Sequence, residues 1–226
     1  MSRWQGWRGW LALVLAAAVG AAAAIAVDRL VFDDAGADTA AAGEIALTPD
    51  DLGPAWSLDA TVELGGEEDV GLLNGCALTG GQAADDPGVF NALSDATGDA
   101  ITNEVRVAAS DSHAAAVFDA ATSIEAIECV RAAVESQAAS LLAPATPVAV
   151  VEPLETTPWA AQSRAYRLRV DVAGATVQRT DVHVIRDGPG IAVVQVLDQS
   201  DPMAAELPAH AVRAVLEGMV SVFGQT

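Results

Sequence analysis

Between Trp56 and Leu64 every second residue is apolar: Trp56, Leu58, Ala60, Val62 and Leu64. A period of two puts these side chains on one side of an extended chain, so the pattern predicts a first strand. The alternation returns over residues 101–109, with Ile101, Val105 and Val107 on one side and Thr102, Glu104 and Arg106 on the other. It returns again at Tyr166, Leu168, Val170 and Val172, interleaved with Arg167, Arg169 and Asp171. Residues 175–186 are rich in Val and Thr, and Asp187-Gly188-Pro189-Gly190 follows them with turn residues. Ile191 to Leu197 is apolar on both sides apart from Gln195. That is the pattern of a strand covered on both faces and therefore central. Val148 to Val151 is a shorter apolar run, which Pro153 confines to a sheet edge. The three strands after residue 160 read as an antiparallel meander.

Elsewhere the period is helical. In Thr48-Pro49-Asp50-Asp51-Leu52, Thr48 is an N-cap candidate, Pro49 suits the first helical position and acids fill the first turn. Ser110-Asp111-Ser112 offers caps for a helical pattern that runs to Leu142 in two pieces. Thr122 and Glu125 have capping-box spacing at the junction, and Pro144 and Pro147 lie beyond the end. Val212, Val215, Leu216, Met219, Val220 and Phe223 recur opposite Arg213 and Glu217 as the apolar face of a last helix. Residues 65–100, rich in Gly and Asp, read as a long irregular segment that holds Cys76. Residues 28–44 read as a flexible linker. The expected fold is α+β, with one domain over residues 45–226. Its antiparallel sheet has about five or six strands, with the 112–142 helices and the C-terminal helix packed on one face.

One stretch does not alternate at all. Gly9 to Val27 carries no charge; Arg3 and Arg8 precede it, and Asp28, Asp33 and Asp34 follow. The run is long enough to span a bilayer. The arginines assign residues 1–8 to the cytoplasm and send the rest of the chain outside. A basic start, an apolar run and Ala24-Ile25-Ala26 also satisfy a cleavable signal. Two outcomes therefore stay open: a single-pass anchor over residues 9–27 in the cell membrane with an extracellular C-terminal domain, or a secreted domain. In either case the compartment is oxidising, and the chain's two cysteines, Cys76 and Cys129, are expected to form a disulfide. Their spacing is not that of a C-x-x-C redox pair.

A net charge of −20 changes the picture of partners. Such a surface repels nucleic acid, so no nucleic-acid partner is expected. The expected partners are the membrane, through residues 9–27, and an unidentified envelope ligand or protein. All eleven basic residues are Arg, as a GC-rich coding bias produces.

Candidate chemistry is sparse. Of His113, His183 and His210, only His183 has an acid at i, i+2 spacing on a strand, Asp181. No G-x-S-x-G elbow accompanies that pair, which reads as an outward polar stripe. His113 falls in a helix's first turn and His210 on the solvent side of the last helix. Asp95, Thr97 and Asp99 place oxygen at alternate positions. An EF-hand loop, however, needs Gly and Glu where Ala100 and Arg106 stand. Glu67-Glu68-Asp69 and Asp85-Asp86 read as solvated loop charge. No catalytic, metal or cofactor residue is assigned, and the chain is expected to be non-enzymatic. Alternation gathers Glu104, Arg106, Arg167, Arg169, Asp171 and His183 on the polar side of the sheet. There Arg106, Arg167 and Arg169 are the candidate ligand-binding residues, since planar guanidiniums grip carboxylate or phosphate through paired hydrogen bonds. The bland alternative is a salt-bridged outer face.

The stretch LTPDDLGPAW, then the first cysteine, then ITNEVRVAASDSHAAAVFDAATSIEAIECV with the second, resembles actinobacterial extracellular sensor domains of the PknH type, over residues 45–224. Only Cys76 and Cys129 carry over residue by residue. The resemblance implies an α+β domain with a cleft that takes an unidentified ligand. This chain departs from that kinase sensor by having one cysteine pair instead of two, and by having no kinase segment. The function expected is a membrane-tethered, extracellular, sensor-like domain that binds a ligand or partner. An envelope structural or assembly protein is the alternative, and an exported hydrolase stands behind it.

Overall fold

The computed structural model describes residues 33–65, 76, 86–156, 160–197 and 206–224. The apolar run at 9–27 lies outside them. Among the described residues no helix is long and apolar enough to cross a membrane.

The elements in chain order are α1 (Asp33–Ile45), α2 (Pro49–Leu52), β1 (Trp56–Leu64), β2 (Gly88–Asp95), β3 (Ala100–Val107), α3 (Asp111–Ala121), α4 (Ile124–Leu142), β4 (Pro147–Pro153), β5 (Gln162–Val172), β6 (Ala175–Asp187), β7 (Gly190–Leu197) and α5 (Glu206–Phe223). The strands form one seven-stranded sheet in the order β1-β2-β3-β7-β6-β5-β4. Every neighbouring pair is antiparallel. The fold is α+β as expected. The central place of β7, the edge position of β4 and the β5–β6–β7 meander follow the sequence pattern.

The sheet has more strands than alternation alone reveals. β2 lies inside the segment expected to be irregular. Its turn to β3 is closed by Asp95, whose Oδ1 accepts from the amides of Thr97, Gly98 and Asp99 at 2.9, 3.0 and 3.0 Å. The alternating oxygens of this stretch thus tie off a hairpin. Residues 33–45, expected to lie mostly within a flexible linker, form α1, and Ala42 in it is fully buried. The helix holds because it packs on the sheet and on α5, not because its Gly- and Ala-rich sequence favours a helix in isolation.

Helices cover both faces of the sheet, not one. On the first face α1 and α5 pack over β2, β3, β7 and β6, with Ala42, Ile45, Val89, Leu93, Ile101, Val105, Val194 and Met219 in one core. On the second face α3 and α4 pack over β5, β6 and β7, with Val117, Phe118, Val130, Tyr166, Leu168, Val182 and Val193 in another. Consecutive residues of β7 divide between the cores, Ala192 and Val194 to the first and Ile191 and Val193 to the second. That division is why β7 carries no polar side.

Local chemistry places these helices. Ser110 caps α3, accepting from the His113 amide at 3.2 Å. Ser123, not Thr122, caps α4, accepting from the Ala126 amide at 3.1 Å. The Thr122 hydroxyl instead donates back to the Phe118 carbonyl at 2.8 Å and closes α3. Gly218 lets α5 approach α1 closely, since a Cβ there would lie 3.1 Å from Ile45 Cα. Cys76 and Cys129 are bonded, with Cα atoms 5.4 Å apart, so the segment after β1 is tied to α4.

Candidate functional site

The three arginines expected to share one face do not. Arg106 pairs across the ladder with Gly88 and Ile191 on the second face. Arg167 and Arg169 point from β5 to the first face. Each has acids at hand. Arg167 grips Asp181 with two bonds, Nε to Oδ1 at 2.6 Å and Nη2 to Oδ2 at 2.7 Å. Arg169 donates to Glu152 at 2.7 Å and to Asp171 at 3.1 Å. The cationic recognition face expected from sequence is therefore replaced by a self-neutralised ladder on β4–β5–β6. Arg179 stands directly opposite Arg169 in this ladder, a third first-face arginine that alternation within single strands does not reveal.

Arg106 is not open to any partner from solvent. It is fully buried (0% exposed), and Glu104 beside it is 2% exposed. Its Nε donates to Glu104 Oε1 at 2.8 Å and its Nη1 to the Asp86 carbonyl at 2.8 Å. The Asp86 carboxylate meets His113 Nε2 at 3.1 Å, linking this buried pair to the first turn of α3. Gly88 makes the site possible. A Cβ there would press on the Val105 carbonyl and lie 2.9 Å from Arg106 Cγ. Asp86, read from sequence as loop charge, thus joins the buried Glu104–Arg106 pair to the half-exposed His113 at the start of α3.

The first face holds a second polar arrangement. Following the ladder from β2 to β5, Asn91, Asn103, Val194, His183 and Ala165 lie in one cross-strand row. The rows on either side are apolar where α1 and α5 cover them: Leu93, Ile101 and Val196 on one side, Val89, Val105, Ala192 and Ile185 on the other. Asn103 is completely buried, and neither atom of its amide has a hydrogen-bond partner. Asn91 donates to the Leu47 carbonyl just past α1 at 2.9 Å, while its Oδ1 is unpartnered. His183 Nε2 is buried and unpartnered too. Burial pushes the His183 imidazole below its ordinary pKa; the Asp181 carboxylate opposes that shift and the Arg167 guanidinium adds to it. Buried amides without partners are rare, and each costs about 1–3 kcal/mol of desolvation.

Sequence reasoning treats His183 as an ordinary polar residue and passes over Asn103. A signal for Asn103 exists: it falls on the apolar side of β3, between Ile101 and Val105. There is none for Asn91, because β2 itself has no clean period. His210 is a structural residue, its Nε2 donating to the Asp51 carbonyl at 2.7 Å and fixing α2 to α5. Among the described residues no cluster of three or more His, Cys, Asp or Glu is placed to hold a metal ion.

The fold and site define an α+β domain with a helix-covered, under-satisfied polar row and one disulfide. No family model matches the chain, and no curated protein does. Among solved structures, the extracellular domain of PknH from Mycobacterium tuberculosis is similar to it. The TM-score is 0.43 at 9% identity, covering 84% of this chain and 98% of that one. The likeness is distant and assigns no residue role here.

Proposed function

We propose that this chain is a membrane-tethered, non-catalytic domain working outside the cell, and that it binds an envelope ligand or partner against the first face of its sheet, beneath α1. The observation that carries the reading is Asn103, a fully buried amide with neither polar atom paired. A purely structural core gains by replacing such a group with an apolar one of the same shape. Retaining it is understandable where another molecule completes its hydrogen bonds. The apolar run behind Arg3 and Arg8 supports the tether, and the Cys76–Cys129 bond is in keeping with an oxidising compartment.

Two measurements test this. Alkaline phosphatase fused behind Thr226 folds to an active enzyme only outside the cytoplasm; an inactive fusion contradicts the assignment. For the site, hydrogen exchange of the full-length chain in phospholipid nanodiscs should show α1 amides exchanging well before those of β3 and β7. Exchange of α1 only together with the central strands would mean that α1 is fixed core and that nothing binds beneath it.

A further inference from the structure

The geometry points to a small, neutral molecule bearing hydroxyl or amide groups as the ligand of the Asn91–Asn103–His183 row, admitted when α1 lifts from the sheet. This rests on the binding reading above and adds the chemistry of what is bound.

The donor and acceptor inventory of the row sets the ligand's chemistry. Asn103 offers two N–H donors and one carbonyl acceptor, Asn91 an acceptor oxygen, and His183 one ring nitrogen. A molecule that satisfies them must both donate and accept, as hydroxyls and amides do. Charge is the second constraint. The rows on either side are apolar under the helices, and the nearest opposite charges, Arg167 and Asp181, are joined to each other by two bonds. An ion entering the row would lie buried and unpaired, which is far costlier than burying a neutral polar group. Size is the third. Asn103 and His183 are separated only by β7, so their Cα atoms are about 10 Å apart at the usual strand spacing. A molecule bonding both is the size of one polyol or sugar ring.

The cover suits this use. Over the Asn91 and Asn103 end of the row the cover is α1, whose sequence DDAGADTAAAGEI presents Ala41, Ala42 and Ile45 to the core; the large buried anchor, Leu47, lies just past its C-terminal end. Alanines bury few methylenes, so lifting α1 costs less than moving any strand beneath it. Asn91 bonds the Leu47 carbonyl, so the row is connected to the end of α1 itself.

The test is saturation-transfer NMR on the full-length chain in nanodiscs, with glycerol, myo-inositol and N-acetylglucosamine as neutral probes and sodium acetate as the ionic one. The proposal expects saturable transfer to at least one neutral probe and none to acetate. It also expects binding about tenfold weaker or worse in Asn103→Leu, as loss of a buried hydrogen-bonding group implies. Asn91→Leu is the second variant and should show the same loss. Melting temperatures of both variants establish that they are folded. Transfer to none of the three neutral probes, equal transfer to acetate, or unchanged transfer in both folded variants overturns the proposal. If α1 still exchanges separately from β3 and β7, such a failure removes the ligand class alone. If α1 exchanges only with the whole domain, the binding reading falls with it.

Discussion

Glu104 and Arg106 show how one residue's environment departs from its sequence signature. Alternation assigns them to the polar side of β3, and that much is so. The polar side, however, is enclosed, and both side chains are buried together. A sequence gives the period of a strand but not whether its second face will be covered. For Glu104→Ala, which leaves the guanidinium buried without its carboxylate, we predict a loss of about 3–5 kcal/mol in urea unfolding. The pair replacement Glu104→Leu with Arg106→Met should lose much less, because no charge is then stranded. His183 titrates with a definite sign. Its pKa in the folded state is lowered, so the unfolded chain binds the proton first. Stability should therefore hold above pH 6.5 and fall as the pH drops below it toward the folded value. His183→Gln should flatten that part of the stability profile relative to wild type, and an unchanged slope would contradict the assignment.

At the scale of elements, the strands with clean alternation are legible in the sequence and those with mixed patterns are not. β1 is instructive. The ladder shifts register between Leu58 and Ala60, so Trp56 and Leu58 face the α1/α5 side while Ala60, Val62 and Leu64 face the other. An unbroken period of two in the sequence is thus divided between two faces by one extra residue, Asp59. The bulge and the acids Asp59 and Glu63 also guard this exposed edge against pairing with another chain. At the opposite edge, Pro147 and Pro153 bracket β4, and Glu135 of α4 accepts from the outward Ala149 amide at 2.9 Å. α1 escapes sequence reading because its small and acidic residues have no helical period; packing makes the helix. The disulfide is legible from compartment and count alone. It spans a sequence separation of 53 residues. Reduction should lower unfolding stability by about 4 kcal/mol, the chain-entropy value for a loop of that length. Urea melts with and without reductant measure the difference, and coincident curves would show that the bond adds nothing.

For the whole molecule, the pattern of residues predicts the class and the meander but not how helices divide between faces. Apolar periodicity marks a helix as packed without saying against which side of which strands. The actual arrangement sets α1 and α5 on one face over β2, β3, β7 and β6 and α3 and α4 on the other over β7, β6, β5 and β4, so that β6 and β7 are covered on both sides. One consequence bears on function. The element that follows the expected anchor in the chain is α1, and α1 also covers the Asn91 and Asn103 end of the polar row, while α5 covers its β7–β6 end. On the proposed reading, ligand entry and the membrane-proximal segment would be coupled through that helix. The central claim is that this helix opens while the sheet stays folded. It is tested most directly by Asn103→Cys in the full-length chain and native-state alkylation with N-ethylmaleimide; Cys76 and Cys129, being bonded, do not react. We predict labelling of the introduced thiol much faster than global unfolding, and faster still when Gly218→Val crowds Ile45 and loosens α1. Labelling of that thiol only at the rate of global unfolding, in both backgrounds, would contradict the account.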